Sequence, residues 1–175
     1  MIKLPVKSTC TLHHLRDGIA KCIIEVVDSD CIVHNNWAMK YSLEETMELI
    51  SKDDVIHSWM VSIDEIVPEE KSIGGRVGGG LINVPLDVRI WGFIGYEYGS
   101  DGSSRTAILE QECLEIIKIL YLNEETLGMT DFSCLQDSEL LQFDSLTTRS
   151  FGSGNDVIIA EGSLKVDWSE IISEQ

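Results

Sequence analysis

The stretch Val84-Pro85-Leu86-Asp87-Val88-Arg89-Ile90-Trp91-Gly92-Phe93-Ile94-Gly95-Tyr96-Glu97-Tyr98 decides how this chain is read. Val84, Leu86, Val88 and Ile90 fall at every second position, with Asp87, Arg89 and Trp91 between them. That is the alternation of a strand with one apolar face. The pattern changes at Gly92 and Gly95, and a bulge at a glycine is the expectation there. Upstream, Val55 to Val67 alternates as well, with Trp59, Val61 and Ile63 set against Ser58, Ser62 and Asp64. It reads as a half-buried strand ending at Pro68, whose partner is the stretch just downstream.

Between the two strands the chain runs Pro68-Glu69-Glu70-Lys71-Ser72-Ile73-Gly74-Gly75-Arg76-Val77-Gly78-Gly79-Gly80-Leu81-Ile82-Asn83, with five glycines in the seven residues from Gly74. Glycine carries the largest backbone entropy, so residues 68–83 are expected to form a mobile inter-strand loop.

Helical spacing appears on both sides of this region. Leu12, Leu15, Ile19, Cys22, Ile23 and Val26 recur at steps of three and four, with Thr11 as N-cap and Asp28-Ser29-Asp30 as the stop. After the turn Asp101-Gly102-Ser103-Ser104, the residues Ala107, Leu109, Cys113, Ile116, Ile117 and Leu120 predict a second helix reaching about Leu122. Ser42-Leu43-Glu44-Glu45 has the form of a capping box and predicts a short helix from about residue 43 to 52. Cys31 to Tyr41 predicts a strand that breaks at Asn35-Asn36. Past Asn123, the apolar groups Leu140–Leu146, Val157–Ala160 and Leu164–Trp168 predict two or three further strands. The order α-β-(α)-β-β-α-β-β describes one α+β domain over residues 1–175. A mixed or antiparallel sheet would carry its two main helices on one face.

Composition bounds the function. With 175 residues, 43% of them hydrophobic, the chain has apolar material for a core, and no run approaches the roughly 20 apolar residues of a membrane helix. The start Met1-Ile2-Lys3-Leu4-Pro5-Val6-Lys7 is followed by Ser8, Thr9, His13, His14 and Arg16 rather than an apolar leader, so the expectation is a protein made and kept in a cytosol. Thirteen Lys and Arg against 30 Asp and Glu give a net charge of −17, which disfavours sequence-independent nucleic-acid binding on the outer surface. Five cysteines, Cys10, Cys22, Cys31, Cys113 and Cys134, include no C-x-x-C pair and read as mostly buried thiols.

Chemical motifs are sparse. The glycine segment Gly74–Gly80 with Arg76 has the backbone amides to cradle a phosphate, but neither a G-x-x-x-x-G-K-[ST] run nor a strand-to-helix G-x-G-x-x-G context surrounds it. His13, His14, His34 and His57 lack metal-ligand spacing and read as surface or core histidines. Cys22 and Cys113 lie on the apolar stripes, where a thiolate nucleophile is not supported. The G-x-S-x-G elbow is absent, and Ser103-Ser104 reads as a helix start. The acids Glu44, Glu45, Asp53, Asp54, Asp64, Glu65, Glu69, Glu70, Glu110 and Glu112 read as solvated. No catalytic, cofactor-binding or metal residue is expected.

Taken together, Leu15–Val27, the strand Val84–Tyr96, the Ser103-Ser104 helix start and the closing Ile158-Ile159-Ala160-Glu161-Gly162-Ser163-Leu164-Lys165-Val166 resemble the tail terminator and head–tail joining (neck) proteins of tailed bacteriophages. The likeness is one of element order, from about residue 12 to 168, and of a strand of the form ΦxΦxGΦxGY before a long helix. The segment Ser42–Asp54 and the tail after Leu122 are longer than the resemblance leads one to expect. It implies a non-catalytic virion protein, assembled in the host cytoplasm into a homohexameric ring. That ring would cap the tail tube, contact tube, sheath or neck proteins, and let DNA pass through an acidic lumen without specific binding. On this reading Ile73, Gly74, Gly75, Arg76, Val77, Gly78, Gly79, Gly80, Leu81 and Ile82 are a contact surface. Trp91 and Phe93, or Trp37 and Trp59, are candidate interface aromatics, set against the reading that all four are core.

Two other classes fit the same composition. A small cytoplasmic ligand-binding or enzymatic α+β domain would show one apolar pocket with convergent polar groups. An acidic interaction module, such as an immunity protein or regulator, would bind a basic partner in a salt-sensitive way.

Overall fold

A computed structural model describes residues 11–35, 43–53, 55–66, 80–97, 102–150 and 155–172. Among them three helices and seven strands follow in the order α1 (Leu12–Ile24), β1 (Ile32–His34), α2 (Leu43–Ile50), β2 (Ser51–Lys52), β3 (Val55–Ile66), β4 (Gly80–Glu97), α3 (Ser103–Leu122), β5 (Leu135–Ser138), β6 (Gln142–Ser150) and β7 (Asn155–Ile172). The sheet runs β1-β3-β4-β7-β5, with β2 on β3 and β6 on β7. Among the described residues only the β1/β3 pair is parallel, so the fold is α+β with a mixed, largely antiparallel sheet.

The central ribbon is β4 against β7, paired without interruption from Gly80↔Ile172 to Glu97↔Asn155. The bulge expected at a glycine of β4 is absent. The register shifts fall in the strands flanking the β4/β7 ribbon instead, between Ile63 and Glu65 of β3, Leu135 and Asp137 of β5, and Phe143 and Ser145 of β6. Two of the strand glycines serve packing. A Cβ on Gly92 would lie 2.6–2.8 Å from the Trp59 ring, and one on Gly162 would lie 2.8 Å from the Phe143 ring. The two rings meet edge to face with centroids 5.8 Å apart, above a trough of small residues.

Gly162 also explains why the groups Val157–Ala160 and Leu164–Trp168, expected as separate elements, form the single strand β7. The loop expected over 68–83 lies outside the described residues up to Gly79. Its last four residues, Gly80–Asn83, belong to β4 and pair with Ser169–Ile172. The part of the expected first strand beyond Asn35, and the Ser42 cap of α2, also lie outside the described residues.

Alternation gives the sheet two different faces. Trp59, Val61, Leu86, Val88, Ile90, Ile94, Ile158, Ala160, Leu164, Val166 and Trp168 join α1 and α3 in the main core. α1 contributes Leu15, Ile19, Cys22 and Ile23, and α3 contributes Leu109, Cys113, Ile116 and Leu120, as their stripes predict. Burying each such aliphatic or aromatic side chain stabilises by about 1.5–3 kcal/mol. On the other face α2 covers a smaller core of Ile50, Ile56, Met60, Phe93, Val157 and Ile159. Hence the two main helices share one face, and the short one takes the other.

The tight approach of α1 to the turn after α3 rests on two glycines. A Cβ on Gly18 would come 2.4 Å from the Leu127 carbonyl oxygen, and Gly128, at φ 74°, turns the chain against it.

Candidate functional site

The main core contains one polar cluster. Glu112 sits on the buried stripe of α3, one turn on from Leu109 and one before Ile116, and is 7% exposed. Its carboxylate faces β3, where His57 and Trp59 point toward the helices. His57 Nε2 lies 2.9 Å from Oε1 and 3.0 Å from Oε2, and Trp59 Nε1–H donates to Oε2 at 2.9 Å. Because both carboxylate oxygens flank Nε2, that nitrogen carries the proton and donates. A buried acid with two good donors is satisfied, whereas the same acid without them would carry a penalty of several kcal/mol. The cluster therefore fixes the rotation of α3 and its register on the sheet.

Two thiols lie close enough to this acid to feel its charge. Burial first, and then the Glu112 charge, push the Cys31 thiol up to about 12 and the Cys113 thiol up to about 12. Burial and then Glu25 push Cys22 up to about 11. At neutral pH these three sulfurs stay protonated, so none supplies the thiolate that nucleophilic cysteine chemistry requires. Cys22 and Cys113 are core residues, in line with their stripes.

Sequence reasoning placed Glu112 among solvated acids. The structure corrects this for Glu112, while Glu110 is exposed. The available signal was the spacing Leu109, Glu112, Cys113, Ile116, an acid at i+3 on an apolar stripe. The other histidines serve local structure: His14 Nδ1 accepts the Thr11 N–H at 3.1 Å, and His34 Nε2 donates to the Leu49 carbonyl at 2.9 Å. His13 stands at the surface near Asp17. Among the described residues no group of three or more His, Cys, Asp or Glu is placed to hold a metal ion.

The residues expected to make contacts with partners divide into three sets. Ile73 to Gly79 lie outside the described residues, as does Trp37. Gly80, Leu81 and Ile82 are the leading residues of β4, paired with Ile172, Ile171 and Glu170. Of the aromatics, Trp59 is fully buried and Phe93 is 3% exposed beneath α2, so neither offers a free surface. Trp91 is half-buried against the α2-side core that holds Phe93. Phe93 went to the core because β4 is covered on both faces at that level, which alternation alone does not reveal.

On the α2 side of the sheet, toward the other end of β4, Arg89 is held between Asp87 (3.1 Å) and Glu161 (3.4 Å). Its charge is thus compensated within the fold.

At the C-terminal end of α3 lies a second feature, an open apolar notch of about 60 Å3 between the helix, the following turn and the segment Ser138–Leu141. Pockets for drug-sized ligands run about 300–1,000 Å3, so the notch has room for a side chain. Among the described residues no helix is long and apolar enough to cross a membrane. The chain matches no protein-family model and no curated protein.

Proposed function

We propose that this chain is a structural ring protein of the tail terminator and head–tail joining kind, which caps a tail tube and joins it to the neck. The observation that carries the reading is the overhang of the central ribbon. On the β5 side the last contacts are Leu135↔Trp168 and the Ser169 N–H donating to the Cys134 carbonyl at 2.7 Å, beyond which β4 and β7 stay paired through Ile82↔Glu170, Leu81↔Ile171 and Gly80↔Ile172. At about 3.3 Å per residue these three pairs reach roughly 10 Å past the last described contact on the β7 edge. Among the described residues no strand covers this edge of β7, an open edge is a template for pairing with another chain, and the sequence here is rich in Leu and Ile.

Such an extension suits a chain whose neighbour completes it, and a head-to-tail contact of this type closes into a ring when the rotation allows. The element order of the resemblance, helix, sheet, long helix, strands, supports the same reading. Each copy carries −17, so a ring lumen lined by this chain repels phosphate and lets DNA slide. Negative-stain imaging of the concentrated protein, alone and with a tail-tube protein, tests the proposal. Closed rings of about six subunits are expected. Single particles of monomer size under both conditions would overturn it.

A further inference from the structure

The notch at the end of α3 has an apolar floor and an acidic rim. Leu120, Leu127, Leu141 and Leu164 form the floor and are buried, while Tyr121 and Leu140 stand at its edge, 60% and 53% exposed. Leu122, beside it, is 77% exposed, the most exposed large apolar side chain among the described residues. Glu124 and Glu139 line the opening, and Glu125 and Asp137, their near neighbours in sequence, are exposed as well.

The charge here is not balanced locally. α3 is 20 residues long, its negative dipole end faces this rim, and its last turn holds no basic residue, whereas α1 ends with Lys21. Lys118, a turn earlier, is tied to Glu115 at 2.8 Å. Lys165 follows the floor residue Leu164 on β7, so alternation sends its side chain to the opposite face of the sheet.

We propose that this notch docks a partner segment carrying one aliphatic anchor side chain flanked by lysines or arginines. The volume suits one anchor, the carboxylates and the helix end suit the flanking cations, and the −17 charge of the chain disfavours a second acidic copy in the same place. The proposal goes beyond the ring reading and does not depend on it.

The test uses the full chain and a fluorescent peptide, Gly-Lys-Arg-Leu-Arg-Lys-Gly, followed by anisotropy at low and high salt. Saturable binding is expected, weakened about tenfold by Leu140→Ser and about tenfold by the pair Glu124→Lys and Glu139→Lys. It should also weaken with salt and be lost when the central Leu is Ser. All substituted positions are exposed, and unchanged melting curves for the variants separate lost docking from lost fold. No saturation up to about 1 mM, or binding indifferent to the notch substitutions, would overturn the proposal. So would tenfold tighter peptide binding after removal of residues 1–10, because the chain's own Ile2-Lys3-Leu4-Pro5-Val6-Lys7 has the same chemistry and would then be the occupant.

Discussion

The two halves of α3 put the same residue types to opposite uses. In its first half Glu112 lies among Leu109, Cys113 and Ile116, and its oxygens are bonded to His57 and Trp59 with almost no access to water. At its end, Glu124 and Glu139 surround apolar side chains that nothing described covers. An acid enclosed with its donors fastens a helix to a sheet, whereas acids around an open apolar floor leave charge and hydrophobic area for something else to satisfy. Burial, more than residue type, separates a structural carboxylate from a recognition surface.

Substitutions at the enclosed end should have the largest effects. Trp59→Ala removes a fully buried ring and a donor to Glu112, and is expected to lower stability by about 4 kcal/mol in urea unfolding. Glu112→Ala leaves His57 and Trp59 without their acceptor and should lower it by about 3 kcal/mol, while Glu124→Ala at the open end should stay within about 0.5 kcal/mol. Equal effects for the two glutamates would erase the distinction. Gly92→Ala forces a Cβ into the Trp59 ring and should lower the urea midpoint by the equivalent of about 2 kcal/mol.

Alkaline pH gives a smaller and gradual loss. The thiols of Cys22, Cys31 and Cys113 ionise near 9.0 when unfolded but are held up to about 11 or 12 when folded. The folded state thus keeps protons that the unfolded state releases. Stability from this source is fully present below pH 9 and falls as pH rises through 9 toward 11 and 12. Urea midpoints measured across that range should decline, and less steeply in Cys113→Ala after allowance for the lost packing. The smallest effect belongs to Leu122→Ser, a change within about 0.5 kcal/mol by thermal melting, because that residue is 77% exposed.

Much of the fold was legible because its signals are local. The stripes from Leu15 to Ile23 and from Leu109 to Leu120, and the alternation from Leu86 to Ile90, placed α1, α3 and β4. What escaped depends on contacts across the sheet. Gly162 reads as a break in sequence but is a seat for Phe143 in three dimensions, so β7 is longer than its apolar groups suggested. Phe93 went to the core because α2 covers the second face of β4. The role of Glu112 needs His57 and Trp59, more than fifty residues away, although its place on an apolar stripe was visible. The notch is assembled from α3, a turn, the segment after β5 and β7, and no single stretch announces it.

The central claim, that the overhanging ribbon joins copies into a ring, is tested most directly by the absolute mass of the protein across concentration by light scattering. The natural chain would be measured beside Leu81→Asp and Ile171→Asp, positions paired in the β4/β7 register. The account predicts a mass of about six chains for the natural protein and of one chain for either variant, with matching melting curves. A natural chain that stays monomeric with a tail-tube protein present, or a ring that both variants leave intact, would contradict it.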